Sequence, residues 1–245
     1  MVTLNFGLHS RLVRVVLSLM LLITTGVGFY TWYSKSSQPE IDAPIYHRKN
    51  NKSLAVIMPV NHKTDIRFYK NMWIGDYLHP VCDWDGPGCA IFCNQTMSYN
   101  TLAKKTICFT RVLKKYYLDT EFFIKLDDDA LVDRDYIFGL IEKYRGFKRP
   151  LYVSEFSTYR NNQPLLNGTR YGNGKFYMFN RKLLDCVATN VDYMGNRNED
   201  AIFGTLVRYG CENKVKMVWE DNSRLWHKKY TNKDTFIDLA ALSNH

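Results

Sequence analysis

Residues 122–129 read Phe-Phe-Ile-Lys-Leu-Asp-Asp-Asp: a short apolar run that ends directly in three carboxylates. The run predicts a buried strand, Phe122–Leu126. The aspartates after it repel one another unless a cation neutralises them. Oxygen donors of this kind suit Mg²⁺ or Mn²⁺, which also bridge diphosphate oxygens. A solvated turn, or a cap for a helix starting near Asp133, accounts for the same residues without a metal. An EF-hand does not: Val132 stands where that loop requires glycine and Phe138 where it requires the bidentate glutamate.

Strand and helix patterns alternate around this segment. Leu54–Val60 is another continuous apolar run, and short strands are predicted at Ala90–Phe92, Leu151–Ser154 and Phe176–Phe179. Helical spacing runs through 64–79 (weakly), 99–118, 133–144, 181–189 and 199–209, the last stopped by Gly210. The alternation predicts an α/β sandwich with a mainly parallel central sheet. Such sheets bind ligands at the carboxyl ends of their strands, where the aspartates lie. A second acidic pair, Glu199-Asp200, opens the last helix. Its charge suits the helix dipole, and the same dipole keeps a general base ionised. Trp73 and Trp219 read as core residues in preference to sugar platforms.

Upstream, Val15–Tyr33 is a continuous stretch without a charge. As a helix it spans about 28 Å, close to the hydrocarbon thickness of a bilayer. Arg11 and Arg14 flank it on one side, while three Asn-x-Ser/Thr sequons (Asn51, Asn94, Asn167) and all six cysteines follow it. These features predict a type II protein: a cytoplasmic tail over 1–14, a signal anchor over 15–33, a luminal stem over 34–53 and a luminal body over 54–245. The net charge of +9 includes Arg11 and Arg14. The remaining Lys and Arg are scattered rather than gathered into stripes, so a nucleic-acid footprint is weak, no nucleic-acid partner is expected, and a small acidic substrate such as a nucleotide fits the charge equally well. No His-Glu-x-x-His or Cys-x-x-Cys pair occurs, which argues against zinc. Gly172-x-Gly174-Lys175 lacks phosphate-loop spacing and suits a close approach to sugar or diphosphate.

Five blocks in order resemble the β-1,3-glycosyltransferases of glycosyltransferase family 31, the galactosyltransferase and Fringe-like enzymes. They are Asp65-Ile66-Arg67 with Trp73, Leu102 with Lys105-Thr106, Phe123–Val132, Tyr171–Phe179 and Glu199–Gly204. The resemblance covers roughly residues 54–210 and implies a GT-A-type nucleotide-sugar-binding fold in a Golgi membrane enzyme. It implies inverting transfer of a hexose, galactose first and N-acetylglucosamine second, from a UDP-sugar to a glycan, glycoprotein or glycolipid acceptor. Asp129, with Asp127 and the late residue His227, would hold Mn²⁺ (or Mg²⁺). Asp127 or Asp128 would lie near the ribose, and Arg67, Lys105, Gly172 and Gly174 would contact the donor. Asp200 would be the base, with Glu199 in reserve. The body is short for the family and lacks the Pro-Tyr-Cys before its glycine motif, which leaves the acceptor open. It also keeps an alternative in view: an inactive membrane-tethered relative that binds glycans or assists an active homologue.

Overall fold

A computed structural model describes residues 52–94, 98, 101–160, 162–189, 198–211, 214–220 and 224–227. The predicted tail, anchor and nearly all of the stem lie outside the described residues, as does the Asn51 sequon. Among the described residues no helix is long and apolar enough to cross a membrane. Asn94 and Asn167 are both exposed.

The strands are β1 (Leu54–Pro59), β2 (Leu78–Cys82), β3 (Ile91–Phe92), β4 (Phe122–Leu126), β5 (Ala130–Val132), β6 (Leu151–Ser154), β7 (Phe156–Thr158), β8 (Arg170–Gly172), β9 (Phe176–Asn180), β10 (Lys216–Trp219) and β11 (Leu225–His227). The helices are α1 (Ile66–Lys70), α2 (Leu102–Tyr116), α3 (Arg134–Tyr144), α4 (Arg181–Cys186) and α5 (Glu199–Cys211). Seven strands form one sheet in the order β10-β6-β9-β4-β1-β2-β3. Only β9 runs against its neighbours, so the sheet is mainly parallel, as predicted. From β1 the chain moves outward through β2 and β3, and β4 then returns to the other flank of β1. The crevice between the carboxyl ends of β1 and β4 is therefore the topological switch point, where open α/β sheets bind ligands.

Side-chain alternation along the central strands separates two cores. Val56, Met58, Ile124, Leu126 and Met178 face α1 and α3, together with Ile137, Leu140 and Ile141. Ala55, Ile57, Phe123, Tyr177 and Phe179 face α2, α4 and α5, together with Phe109, Leu113, Leu183 and Phe203. The result is three layers, helix on sheet on helix. All six cysteines pair: Cys82–Cys89, Cys93–Cys108 and Cys186–Cys211. The first two tie β2 and β3 to each other and to α2, and the third joins α4 to the end of α5.

Three expectations change. The weak helix over 64–79 is a short α1, a 3-10 turn at Trp73–Asp76, and the start of β2. Pro80 is tolerated inside β2 because its backbone faces β3: its carbonyl accepts from Ala90 N at 3.1 Å, and the β3 pairing begins only at Val81. Gly210 does not stop α5 but lies within it. A Cβ at Gly210 would meet Cys186 O at 2.1 Å, so the glycine admits the backbone that leaves α4. Trp73 is core, donating its indole N–H to Val132 O at 2.8 Å, whereas Trp219 is 57% exposed.

Candidate functional site

The site grows from the parity of β4. Lys125 pairs with Ile57 on one side and Tyr177 on the other, so its side chain enters the α5 face of the sheet between apolar neighbours. It is 1% exposed there. A buried ammonium needs anionic partners and hydrogen bonds. Lys125 Nζ donates to Asp127 Oδ1 at 2.5 Å and to Gly174 O at 2.9 Å, rests against Glu199 Oε1, and stands 3.8 Å from Asp200 Oδ1. Burial alone would depress this lysine, but Asp127, Glu199 and Asp200 together hold it well above its usual range. A single nitrogen therefore bridges Asp127 at the end of β4 to Asp200 at the start of α5.

The acidic pair reaches this point because α5 is fixed at both ends. Asn198 caps it, its side-chain oxygen accepting from Ala201 N at 3.0 Å. Phe203 stacks on Tyr177 at 4.8 Å between ring centres, and Cys211 closes the far end. Gly174 completes the fit: a Cβ there would meet Asp200 Oδ2 at 2.6 Å. Glu199 is buried, and Asp200 is 22% exposed. Burial raises the carboxyl of Asp200 to about 7, against the pull of Lys125, with Glu199 adding to the rise. Burial raises Glu199 as well, again opposed by Lys125. Burial penalises both charged forms, and one ammonium cannot neutralise three adjacent carboxylates, so both carboxyls are raised. Burial thus outweighs the helix dipole, and Asp200 is not the permanently ionised group that the dipole alone predicts.

Across the switch point, the segment after β1 grips the segment after β4. Thr64 donates its hydroxyl to Asp128 Oδ2, and the buried Tyr69 donates to Asp128 O at 2.5 Å. Asp127, Asp128 and Asp129 are each half-buried. Downstream, β5 pairs with β11 antiparallel, and His227 is the register partner of Ala130, immediately after Asp129. Asp133 locks this ribbon. Its side chain caps α3 through Tyr136 N at 2.9 Å and accepts from Arg224 Nε at 2.7 Å, just before β11 begins.

The residues expected to contact a donor separate into groups. Asp128 and Asp129 stand at the crevice, and His227 has its backbone beside them. Asp127 is committed through Oδ1 to Lys125. Gly172 approaches protein rather than ligand: a Cβ there would meet Ser154 Oγ at 2.7 Å and Tyr152 Oη at 2.9 Å. Gly174 likewise makes room for Asp200. Lys105 is buried and donates to Val60 O at 3.2 Å and Val81 O at 3.4 Å, under the carboxyl ends of β1 and β2; burial lowers it to about 8. Arg67 is 92% exposed, pairs with Asp65, and lies two residues from Tyr69, on the other side of α1. Lys125, Tyr69 and Arg224 were not singled out from the sequence. Only Lys125 carried a signal there, a lone charge inside an apolar strand.

Among the described residues no three His, Cys, Asp or Glu side chains form a metal cage. Mg²⁺-like ions, however, are commonly held by one or two carboxylates plus substrate phosphates. The half-buried Asp129 at an open strand end fits that donor set, with Asp127 restricted to its remaining oxygen.

No family profile matches the sequence, and no curated protein is similar to it. Solved structures share parts of the architecture. One is a glycosyltransferase involved in glycosylation of the major capsid of PBCV-1 (14% identity, TM-score 0.40, 69% of this chain and 83% of that one). Another is the mannosyltransferase PcManGT from Pyrobaculum calidifontis in complex with GDP-Man and Mn²⁺ (15%, 0.41, 85% and 66%). A third is a putative glucose-1-phosphate thymidylyltransferase from Bacillus anthracis (10%, 0.38, 69% and 87%). At these identities and TM-scores none of them assigns an activity, a donor or a metal to this chain.

Proposed function

We propose that the chain is a glycosyltransferase of the GT-A type: a metal-dependent, inverting β-1,3-hexosyltransferase that moves a sugar, galactose before N-acetylglucosamine, from UDP to a glycan acceptor. The observation that carries this reading is the arrangement around Lys125. A half-buried carboxylate, Asp200, is linked through one ammonium to the first of three aspartates, at the carboxyl edge of the sheet. One group can take a proton while its neighbours manage a diphosphate.

Asp129, with the donor's diphosphate and with His227 from β11, would hold Mn²⁺. When bound, the ion offsets the negative charge that builds on departing UDP. Asp128, oriented by Thr64 and Tyr69, faces the crevice where the ribose fits. Asp200 accepts the proton of an acceptor hydroxyl as its oxygen bonds to the anomeric carbon. The bond to UDP breaks on the opposite face, its electron pair leaves with the diphosphate, and configuration inverts in one step. Glu199, sealed against Lys125, keeps Asp200 in place. Three disulfides and the exposed Asn94 and Asn167 support a luminal body behind the anchor Val15–Tyr33, in a Golgi membrane.

The test is sugar transfer by the full chain in detergent, with Mn²⁺, a panel of UDP-sugars and glycan acceptors. Sugar incorporation with matching UDP release is expected. Glycan binding without incorporation would favour the inactive relative, and failure to bind any nucleotide would overturn the transferase reading.

A further inference from the structure

Trp219 ends β10, the edge strand, and is 57% exposed. Tryptophan is enriched among the residues that carry binding energy where proteins meet their partners. Its direction follows from its neighbours. Val218 packs into the core shared with α3, and Glu220 pairs its carboxylate with Lys143 of α3 at 3.3 Å. Met217 packs into the opposite core, which contains Tyr177 and Phe203. By alternation Trp219 shares the face of Met217, the face on which Lys125 meets Asp200.

Its height is set by register. Trp219 is opposite Ser154, and Lys125 is opposite Tyr177. Between them, Tyr152 pairs with Phe179 and Val153 with Met178, which continues Ser154 opposite Tyr177. Trp219 and Lys125 therefore lie on one rung, three strand spacings or about 14 Å apart. The stretch between them is built from Gly172, whose backbone sits on Ser154 and Tyr152, and Gly174, whose backbone sits on Asp200. Beside it, Asn173 donates to Glu155 Oε2 at 3.3 Å. An indole, a polar pair and a carboxylate thus follow one another along the same edge. A pyranose offers an apolar face of C–H groups and a rim of hydroxyls, the complement of an aromatic surface beside polar groups.

Resting on the proposed role of Asp200 as base, we infer that Trp219 is the outer platform of the acceptor site, stacking on the sugar that precedes the one presented to Asp200. The spacing is too long for a single pyranose and suits an acceptor of at least two sugars.

The test compares the full-length wild type, Trp219→Ala and Trp219→Phe. Acceptors are lactose and N-acetyllactosamine, with methyl β-galactoside as the one-sugar control. Trp219→Ala should raise KM for the disaccharides by roughly 3- to 10-fold, the range of an aromatic contact. It should leave the methyl galactoside and the UDP affinity unchanged, and Trp219→Phe should restore most of the loss. Tryptophan fluorescence titrated with the same glycans reads binding without turnover: quenching present in wild type and lost in Trp219→Phe is expected. Transfer by wild type with unaltered KM values in Trp219→Ala overturns the platform and leaves Asp200 untouched. If wild type transfers nothing, the reading of Asp200 fails, and the fluorescence titration still decides Trp219: no Trp219-dependent quenching overturns it.

Discussion

Lys125 Nζ stands 3.8 Å from Asp200 Oδ1, and the same nitrogen bonds Asp127 at 2.5 Å. One buried cation thus spans from the acidic end of β4 to the first turn of α5. These two elements are distant in sequence, and the cation sets their separation. Much of the proposed chemistry depends on that span.

Removing the cation should therefore cost stability as well as rate. Lys125→Met leaves Asp127, Glu199 and Asp200 without their common partner. Breaking a buried pair on one side costs about 3–5 kcal/mol, or roughly 10 °C in melting temperature for a domain of this size. Adding Glu199→Gln should recover part of the loss by lowering the uncompensated charge. Calorimetry showing an unchanged melting temperature for Lys125→Met would mean that the contacts carry no net stability.

Gly174→Ala tests the fit around the base. The new Cβ would lie 2.6 Å from Asp200 Oδ2, so the carboxylate must move. A displacement of that size should lower kcat on the order of 10²-fold while UDP affinity stays near wild type. Normal turnover would show that Asp200 need not occupy its observed position.

Much of this architecture is legible in the sequence, and the failures have physical causes. Phe122–Leu126 and, to within a residue, Leu54–Val60 read correctly because both faces of a central strand are buried, which leaves a continuous apolar run. The helix starting near Asp133 was legible from its periodicity, but its cap is Asp133 itself and none of the three aspartates before it. β2 was hidden by His79 and Pro80. The buried histidine shares a 2.9 Å hydrogen bond with Tyr117, 38 residues away, a contact no local pattern announces. Gly210 carried a stop signal that close packing against Cys186 explains instead. Lys125 was visible as an oddity, but its partners Gly174, Glu199 and Asp200 come from distant segments, so its role as a hub had no local signature. The placement of His227 beside Ala130 depends in the same way on the Asp133–Arg224 contact, which spans 91 residues.

The acidity of Asp200 makes a pH prediction. A base acts when deprotonated, and burial raises this carboxyl to about 7. Below that value kcat should fall about tenfold per pH unit, and above it kcat should level off. A rate constant flat from pH 5 to pH 8, with chemistry rate-limiting, would contradict a raised Asp200 carboxyl acting as the base.

Metal dependence can be read without turnover. Three adjacent aspartates repel a diphosphate unless an ion lies between them. UDP binding measured by calorimetry should require Mn²⁺ or Mg²⁺, vanish with EDTA, and be lost in Asp129→Ala. His227→Ala should weaken it less, because β11 supplies only a flanking ligand. Equal UDP affinity with and without EDTA would remove the metal from the mechanism.

The most direct measurement is the single-turnover rate of sugar transfer by Asp200→Asn and Glu199→Gln, each saturated with donor and Mn²⁺. Asparagine keeps the size and polarity of Asp200 and removes its basicity, so UDP affinity should persist. The rate for Asp200→Asn should fall 10²- to 10⁴-fold, about 3 to 5 kcal/mol of barrier, and Glu199→Gln should lose less. Full activity in both variants would contradict the assignment and place the chemistry elsewhere on the molecule.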